Sequence, residues 1–328
     1  MKKILITGGA GYVGCVLARK LLDKGYFVRV LDPLFFGRDP IRSLEENPNF
    51  DLQISLTEDK YMLEKCLKGI YGVIHLSGLS NDPSCEIDAS LTRKANVDAT
   101  KVLLKLSKET GVERLIFAST CSVYGYTDDN VVDERSPLNP LTAYAKSKND
   151  SEELIIPEAS NGFMTVSLRQ ATLYGPSARM RFDLVLNTMT GMAISDRKII
   201  INGGEQWRPF LHVDDTADAC TFMLEGEKEK INGQIFNVGS NEANLRIKDL
   251  AKCVAKIIPD VKIEQSDSAD HRSYHVSFDK IASIGWAPKL NVEDGIRGVK
   301  KIFDDDSHID FRDLRFFNIK RMLSYLNI

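Results

Sequence analysis

Short apolar runs alternate with amphipathic stretches through the first third of the chain. Residues 3–7, 27–32, 72–76 and 114–118 read as strands, with few polar interruptions on either face. Between the first two, Val13, Leu17 and Leu21 share one helical face, and Lys24-Gly25 closes that helix. Strands separated in this way by helices predict an α/β fold, a parallel sheet doubly wound with helices on both sides. Further strands are expected at 164–169 and 234–238. After about residue 175 the rhythm becomes irregular, which divides the chain into a main part, 1–175, and a smaller C-terminal α/β part, 176–328. The 234–238 strand returns to the main sheet in one reading and stays with the second part in the other. There is no internal repeat and no low-complexity linker.

Composition narrows the possibilities. With 328 residues and 43% hydrophobic content the chain can build a large core unaided. Its 43 Lys and Arg nearly balance 46 Asp and Glu, so no basic face is implied for nucleic acid or for an anionic membrane. Any anion site must be local. The cysteines at 15, 66, 85, 121, 220 and 253 form no C-x-x-C pair and no cluster with histidine, so no metal is expected. Glycines interrupt the N-terminal apolar stretch too early for a signal peptide, and no run has transmembrane length. Free thiols in a reducing cytoplasm are the expected setting.

Two motifs carry chemistry. Thr7-Gly8-Gly9-Ala10-Gly11-Tyr12-Val13-Gly14 follows the first strand and opens the first helix, placing glycines at 8, 11 and 14. Glycine there permits a tight turn and close approach of the backbone to a pyrophosphate at the positive helix end. Asp32 ends the second strand roughly 20 residues on, where its carboxylate can accept both hydroxyls of an adenosine ribose and repel a 2′-phosphate. NAD is therefore expected over NADP, with nearby Arg38 the one residue that argues otherwise. The second motif is Tyr144-Ala145-Lys146-Ser147-Lys148, which puts Tyr144 and Lys148 on one helical face. A phenol of ordinary pKa roughly 10 is a poor base near neutrality, and an adjacent ammonium is expected to lower it. Upstream, residues 118–125 follow an apolar strand and bring hydroxyl groups, Thr120 among them, to the strand edge where open α/β sheets bind ligands.

Together these residues resemble the extended short-chain dehydrogenases/reductases, in particular the NAD-dependent nucleotide-sugar epimerase/dehydratase branch. The resemblance runs from about residue 3 to 299. It is carried by residues 7–14, Asp32, His75-Leu76-Ser77-Gly78, Asn96-Val97, 119–125, 144–148, Leu173-Tyr174-Gly175-Pro176 and 208–215. It implies a Rossmann-type sheet for 1–175 and a nucleotide-sugar-binding part for 176–328. Thr120 then stands in the Ser/Thr place, Tyr144 is the acid/base, and Lys148 holds both Tyr144 and the nicotinamide ribose. Gly8, Gly11, Tyr12, Val13, Gly14, Asp32, Leu76, Ser77, Gly78 and Asn96 are implied as cofactor neighbours. Arg208 is implied to meet the nucleotide diphosphate, and Arg272 looks like a second such arginine. The resemblance also implies homo-oligomers paired through helices near 97–107 and 143–155, whose apolar stripes suit such pairing or the core equally, and a place in polysaccharide biosynthesis.

Departures refine the reading. The 4,6-dehydratases of the branch carry Asp-Glu after the catalytic Thr, whereas Cys121 and Ser122 stand here, so elimination of water is disfavoured. Cys121 reads as a half-buried filler rather than a nucleophile. Gln53-Ile54-Ser55-Leu56 lacks the usual adenine-contacting Asp, and Thr172 stands where an Asn commonly touches substrate phosphate. Asp214 and Asp215 read as acids at a helix N-terminus rather than metal ligands. His75 reads as structural, and His212 and His271 lack metal-ligand spacing. The expected activity is oxidoreduction at C4 of a nucleotide-sugar through a 4-keto intermediate, foremost a 4-epimerase. A 4-dehydrogenase or 4-ketoreductase shares the same residues, and a non-catalytic NAD-binding regulator is the rival of another class. The aromatic and basic run 311–328 is unexplained by sequence.

Overall fold

The computed structural model describes residues 1–267 and 272–326, so Asp270 and His271 and the last two positions of the C-terminal run lie outside the described residues. A seven-stranded sheet has the order Gln234–Val238, Met164–Gln170, Arg114–Thr120, Gly72–His75, Lys3–Thr7, Phe27–Leu31, Phe50–Gln53. All of its pairings are parallel. The strands fall where the apolar runs predict, with ends shifted by one or two residues. Thus Asp32 lies just beyond its strand, while the Arg114 strand runs on to include Thr120. The strand Gln234–Val238 does return to the main sheet.

Both sheet faces are covered. Ile4, Ile6, Val28 and Val30 point to a core with Leu17 and Leu21 of helix Gly14–Asp23 and Ala217 and Met223 of helix Val213–Glu225. Leu5, Leu31, Val73 and Leu115 point the other way, onto Leu63, Leu103, Leu104 and Ile155. The alternation within each strand is what makes the runs apolar throughout.

The order reverses beside Lys3–Thr7, whose neighbours are Phe27–Leu31 on one side and Gly72–His75 on the other. The crevice beyond the carboxyl ends of these strands is where open α/β sheets take ligands. Smaller sheets wall it: Trp207–His212 lies between Thr172–Tyr174 and Asn244–Arg246, and Lys198–Asn202 pairs with Lys262–Ser266. The aromatic C-terminal run has a packing role. Phe182 is fully buried with Phe303, Phe311 and Phe316 edge-on around it, ring centroids 5.2 to 5.8 Å away.

Candidate active site

One cavity of about 1160 Å³ lies along the carboxyl edge of the sheet. Gly8, Gly11, Tyr12, Val13, Gly14, Asp32, Leu76, Ser77 and Gly78 line one end of it. The glycines are sterically required. Gly8 has φ +76°, and a Cβ on Gly14 would lie 2.3 Å from the Gly8 carbonyl oxygen. This leaves backbone alone at the mouth of a ten-residue helix, Gly14–Asp23. The first N–H groups of a helix lie outside its own ladder and, with the macrodipole, favour an anion.

Asp32 accepts from the Ala10 amide at 3.0 Å and the Leu34 amide at 2.7 Å, which fixes its carboxylate at the cavity wall. Burial pushes its pKa up while those amides pull it down. Arg38 is turned away, its guanidinium on Glu45 at 2.6 and 2.8 Å. A cradle that a Cβ would fill, next to a fixed ribose acceptor and away from any arginine for a 2′-phosphate, fits NAD. Leu56 and Thr57 line the cavity where an adenine-contacting Asp was missing, with Thr57 Oγ1 2.9 Å from Ser77 Oγ.

Asn96 departs from expectation, because it stands behind the cavity wall. It sits in a π-helical turn, Lys94–Asp98, and its amide is spent on the backbone of Leu79 at 2.7 and 3.0 Å and on Ser147 Oγ at 2.9 Å. Its role is to shape the loop after Gly78, where a Cβ would lie 2.6 Å from Asn96 Oδ1. His75 bridges Thr7 at 2.7 Å and Thr100 at 2.8 Å inside the fold, and burial brings its pKa down to about 3.

Thr120, Tyr144 and Lys148 open onto the middle of the cavity. The helix Ala143–Ile155 is capped by Thr142, which accepts from the Ala145 amide. It is fixed to the sheet by a buried ion pair: Arg169 donates to Glu152 at 2.7 and 3.1 Å and to the Tyr124 hydroxyl at 3.1 Å. Removing one member of such a pair typically costs about 3–5 kcal/mol. Thr120 Oγ1 donates to Ser122 Oγ at 3.1 Å, which in turn is 3.3 Å from the Tyr274 hydroxyl.

The electrostatics of the pair differ from the sequence expectation. Lys148 Nζ donates to the Ala118 carbonyl at 2.8 Å, and burial lowers its pKa to about 8. Its ammonium sits 5.9 Å from the Tyr144 ring centroid and 4.8 Å from that of Phe117. Tyr144 is accordingly not acidified here. Burial first, with the Asp82 carboxylate adding to it, pushes its pKa well above the ordinary phenol value, while Arg181 and the nearby Thr120 hydroxyl pull it down. Cys121 points away from the cavity, fully buried, with Sγ 3.1 Å from the Arg169 carbonyl and its pKa driven up by burial. It is a complete rather than a half-buried filler.

Thr172, Arg208 and Arg272 line the far end. Arg208 donates to the Trp207 carbonyl at 2.8 Å and to the Arg272 carbonyl, and lies 4.9 Å over the Tyr274 ring. Arg272 is paired with the Asp82 carboxylate. The sequence reading missed Asp82, and also Arg181, which is paired with Asp183 at 2.8 and 3.0 Å. It missed Gln170 too, whose Nε2 is buried without a partner among the described residues and which lines the cavity. None of these has a neighbour in sequence that marks it. Asp215 accepts from the Lys289 and Leu290 amides, and His212 Nδ1 accepts from the Asp214 amide. Both serve helix and loop structure.

An open parallel sheet with a glycine turn at its switch point, and a Tyr/Lys helix on the same cavity, defines a class of dinucleotide-dependent oxidoreductases. The chain belongs to the NAD dependent epimerase/dehydratase family, which matches residues 4–239. NAD is accordingly its cofactor. It is 28% identical to a putative UDP-glucose 4-epimerase of Methanocaldococcus jannaschii, over 90% of this chain and 96% of that one. It is also 28% identical to the dTDP-D-glucose 4,6-dehydratase of Mus musculus, over 94% and 90% of the two chains. Among solved structures, the UDP-glucuronic acid 4-epimerase of Bacillus cereus, in complex with UDP-glucuronic acid and NAD, superposes with a TM-score of 0.81 at 26% identity. That match covers 92% of this chain and 99% of the other.

Proposed function

We propose that this chain is a nucleotide-sugar 4-epimerase. The observation that carries the reading is the content of the cavity. Thr120, Tyr144 and Lys148 open between the glycine turn and the Arg208 and Arg272 end, and the positions after Thr120 hold no carboxylic acid. NAD, held by the glycine turn, Asp32 and Lys148, supplies the hydride acceptor and donor. Arg208 and Arg272 hold the diphosphate, so Arg272 exchanges Asp82 for substrate. Thr120 hydrogen-bonds the C4 oxygen and Tyr144 removes its proton. With the 4-keto sugar turned over in the cavity, Tyr144 would return the proton to the C4 oxygen on the other face.

The Tyr144 phenol, held above its ordinary pKa, is well suited to the returning step. In the forward step it relies on the cation of Arg181 and the nearby Thr120 hydroxyl. The free cysteines suit a reducing cytoplasm. Leu103, Leu104 and Ile155 of the two helices expected to pair copies are core residues, which leaves half-buried Val102, Leu106 and Leu154 as the strip for homo-oligomer contact.

The test is to incubate the purified protein with a panel of nucleotide-sugars in deuterated water and follow cofactor absorbance and product mass. The proposal predicts a C4 stereoisomer with no net redox change and no solvent deuterium on carbon. Stoichiometric NADH would make the enzyme a dehydrogenase, consumption of added NADH with a 4-keto sugar a ketoreductase, and deuterium at C5 or C3 a dehydratase or multi-carbon epimerase. No change of cofactor absorbance or substrate with any sugar would favour a binding-only regulator.

A further inference from the structure

Among the described residues Arg179 is a buried cation with no carboxylate in hydrogen-bond contact. It is 4% exposed, its Nε has no hydrogen-bond partner among the described residues, and it lines the cavity. Nη2 donates to the Asn318 side chain at 2.6 Å, and Nη1 reaches the Met180 carbonyl only at 3.5 Å. Neighbouring Arg181, by contrast, has the Asp183 carboxylate in a two-point contact. Leaving an N–H of a charged group unpaired inside a protein is costly, and guanidinium does not escape by losing its proton near neutrality. Burial and the Arg181 charge do depress its pKa, to about 9.

Its position says which anion would relieve it. The guanidinium lies 3.9 Å from the Phe36 ring centroid, and Phe36 follows closely on Asp32. Two residues before it, Ser177 touches the turn that opens the helix Gly14–Asp23, with its Oγ 3.1 Å from Cys15 Sγ. The intervening segment is tied down there, with Ser177 Oγ donating to the Tyr12 carbonyl at 2.7 Å and the Tyr12 hydroxyl donating to the Gly175 carbonyl at 2.6 Å. Arg179 therefore lines the same cavity as the glycine turn, two residues beyond the contact that ties its segment to Tyr12.

Asn318 opens the last helix, Asn318–Leu326, and joins three walls of the cavity. Its side-chain oxygen accepts from Arg179, its backbone amide donates to Asp183 at 3.0 Å, and its Nδ2 donates to Ser80 Oγ at 2.9 Å. In the same helix Arg321 Nε donates to the Phe35 carbonyl at 3.0 Å.

We propose that Arg179 is a second hold on the diphosphate of NAD, in the same cavity as the glycine turn, and that the C-terminal helix straps it in place through Asn318, so that the cofactor stays bound between turnovers. This rests on the cavity taking NAD and not on the fate of the sugar. It gives the C-terminal run a function, and it matches chemistry in which hydride must return to the molecule it left.

The test uses the full chain stripped of nucleotide, with calorimetric titration of NAD, ADP and adenosine and with the rate of NAD release measured by competition. Arg179→Met should weaken ADP and NAD about tenfold or more and leave adenosine unchanged, while Arg179→Lys should recover part of the loss. Asn318→Ala should speed NAD release with adenosine affinity unchanged. Unchanged ADP affinity in Arg179→Met, or an equal loss for adenosine and ADP, would overturn the proposal. Because no arm reads turnover, its failure is separable from failure of the epimerase reading.

Discussion

The two ends of the cavity are built on different principles. The dinucleotide end is built around one stretch of backbone, residues 8–14, whose conformation is fixed by absent side chains and by close contacts such as Gly8 N to the Leu31 carbonyl at 2.9 Å. The sugar end is assembled from side chains far apart in the chain, and its charges already have partners, Arg272 on Asp82 and Arg181 on Asp183. On the proposed function, one end is ready before its ligand arrives, whereas the other exchanges internal partners for substrate. Preorganisation at the first and exchange at the second suit a cofactor that stays and a substrate that turns over. Tyr144 lies between them and feels both: burial and Asp82 hold its proton on, while Arg181 and Thr120 draw it off.

The largest effect that would sharpen this contrast comes from Tyr144→Phe, which should lower turnover by about 10²–10⁴-fold while NAD binding, measured by calorimetry, is unchanged. Next is Arg208→Ala at the exchanging end. Loss of charge-assisted contacts costs about 1.5–3 kcal/mol, so a nucleoside diphosphate such as UDP should bind at least about tenfold more weakly, with NAD affinity intact. At the preorganised end, Gly14→Ala forces a Cβ onto backbone that cannot yield, at about 1–3 kcal/mol. NAD should weaken there while UDP does not, and equal losses for both ligands would break the division into two ends.

The smallest effect is on pH dependence. Asp82 raises the Tyr144 pKa, so Asp82→Asn removes a raising influence and should move the basic-limb onset of activity to lower pH. Arg181 lowers it, so Arg181→Met should move the onset to higher pH. Shifts in the same direction for both variants would contradict the electrostatic picture.

The same division explains what was legible in the sequence. The glycine turn, Asp32 and the Tyr144 to Lys148 spacing are local, because a backbone cradle and a helical face each demand residue types at fixed intervals. The strands were legible because both sheet faces are covered, and their ends were not, because Thr120 and Gln170 extend strands with polar residues at the cavity edge. Arg179, Asp82 and Asp183 could not be found, since side chains meeting across segments leave no periodic trace. The i, i+4 spacing of Tyr144 and Lys148 did place both on the cavity, yet it could not tell that the Ala118 carbonyl takes the ammonium. Likewise Asn96 matches a motif by position, while its amide is consumed by the Leu79 backbone.

The central claim is that one hydride leaves C4 and returns to it inside a closed site. A nucleotide-sugar carrying deuterium at C4, turned over in ordinary water with excess unlabelled NAD, tests it directly. The account predicts a C4 epimer that keeps the deuterium at C4, with no labelled NADH in solution. Label lost to water, or found in free NADH beside a 4-keto product, would contradict it.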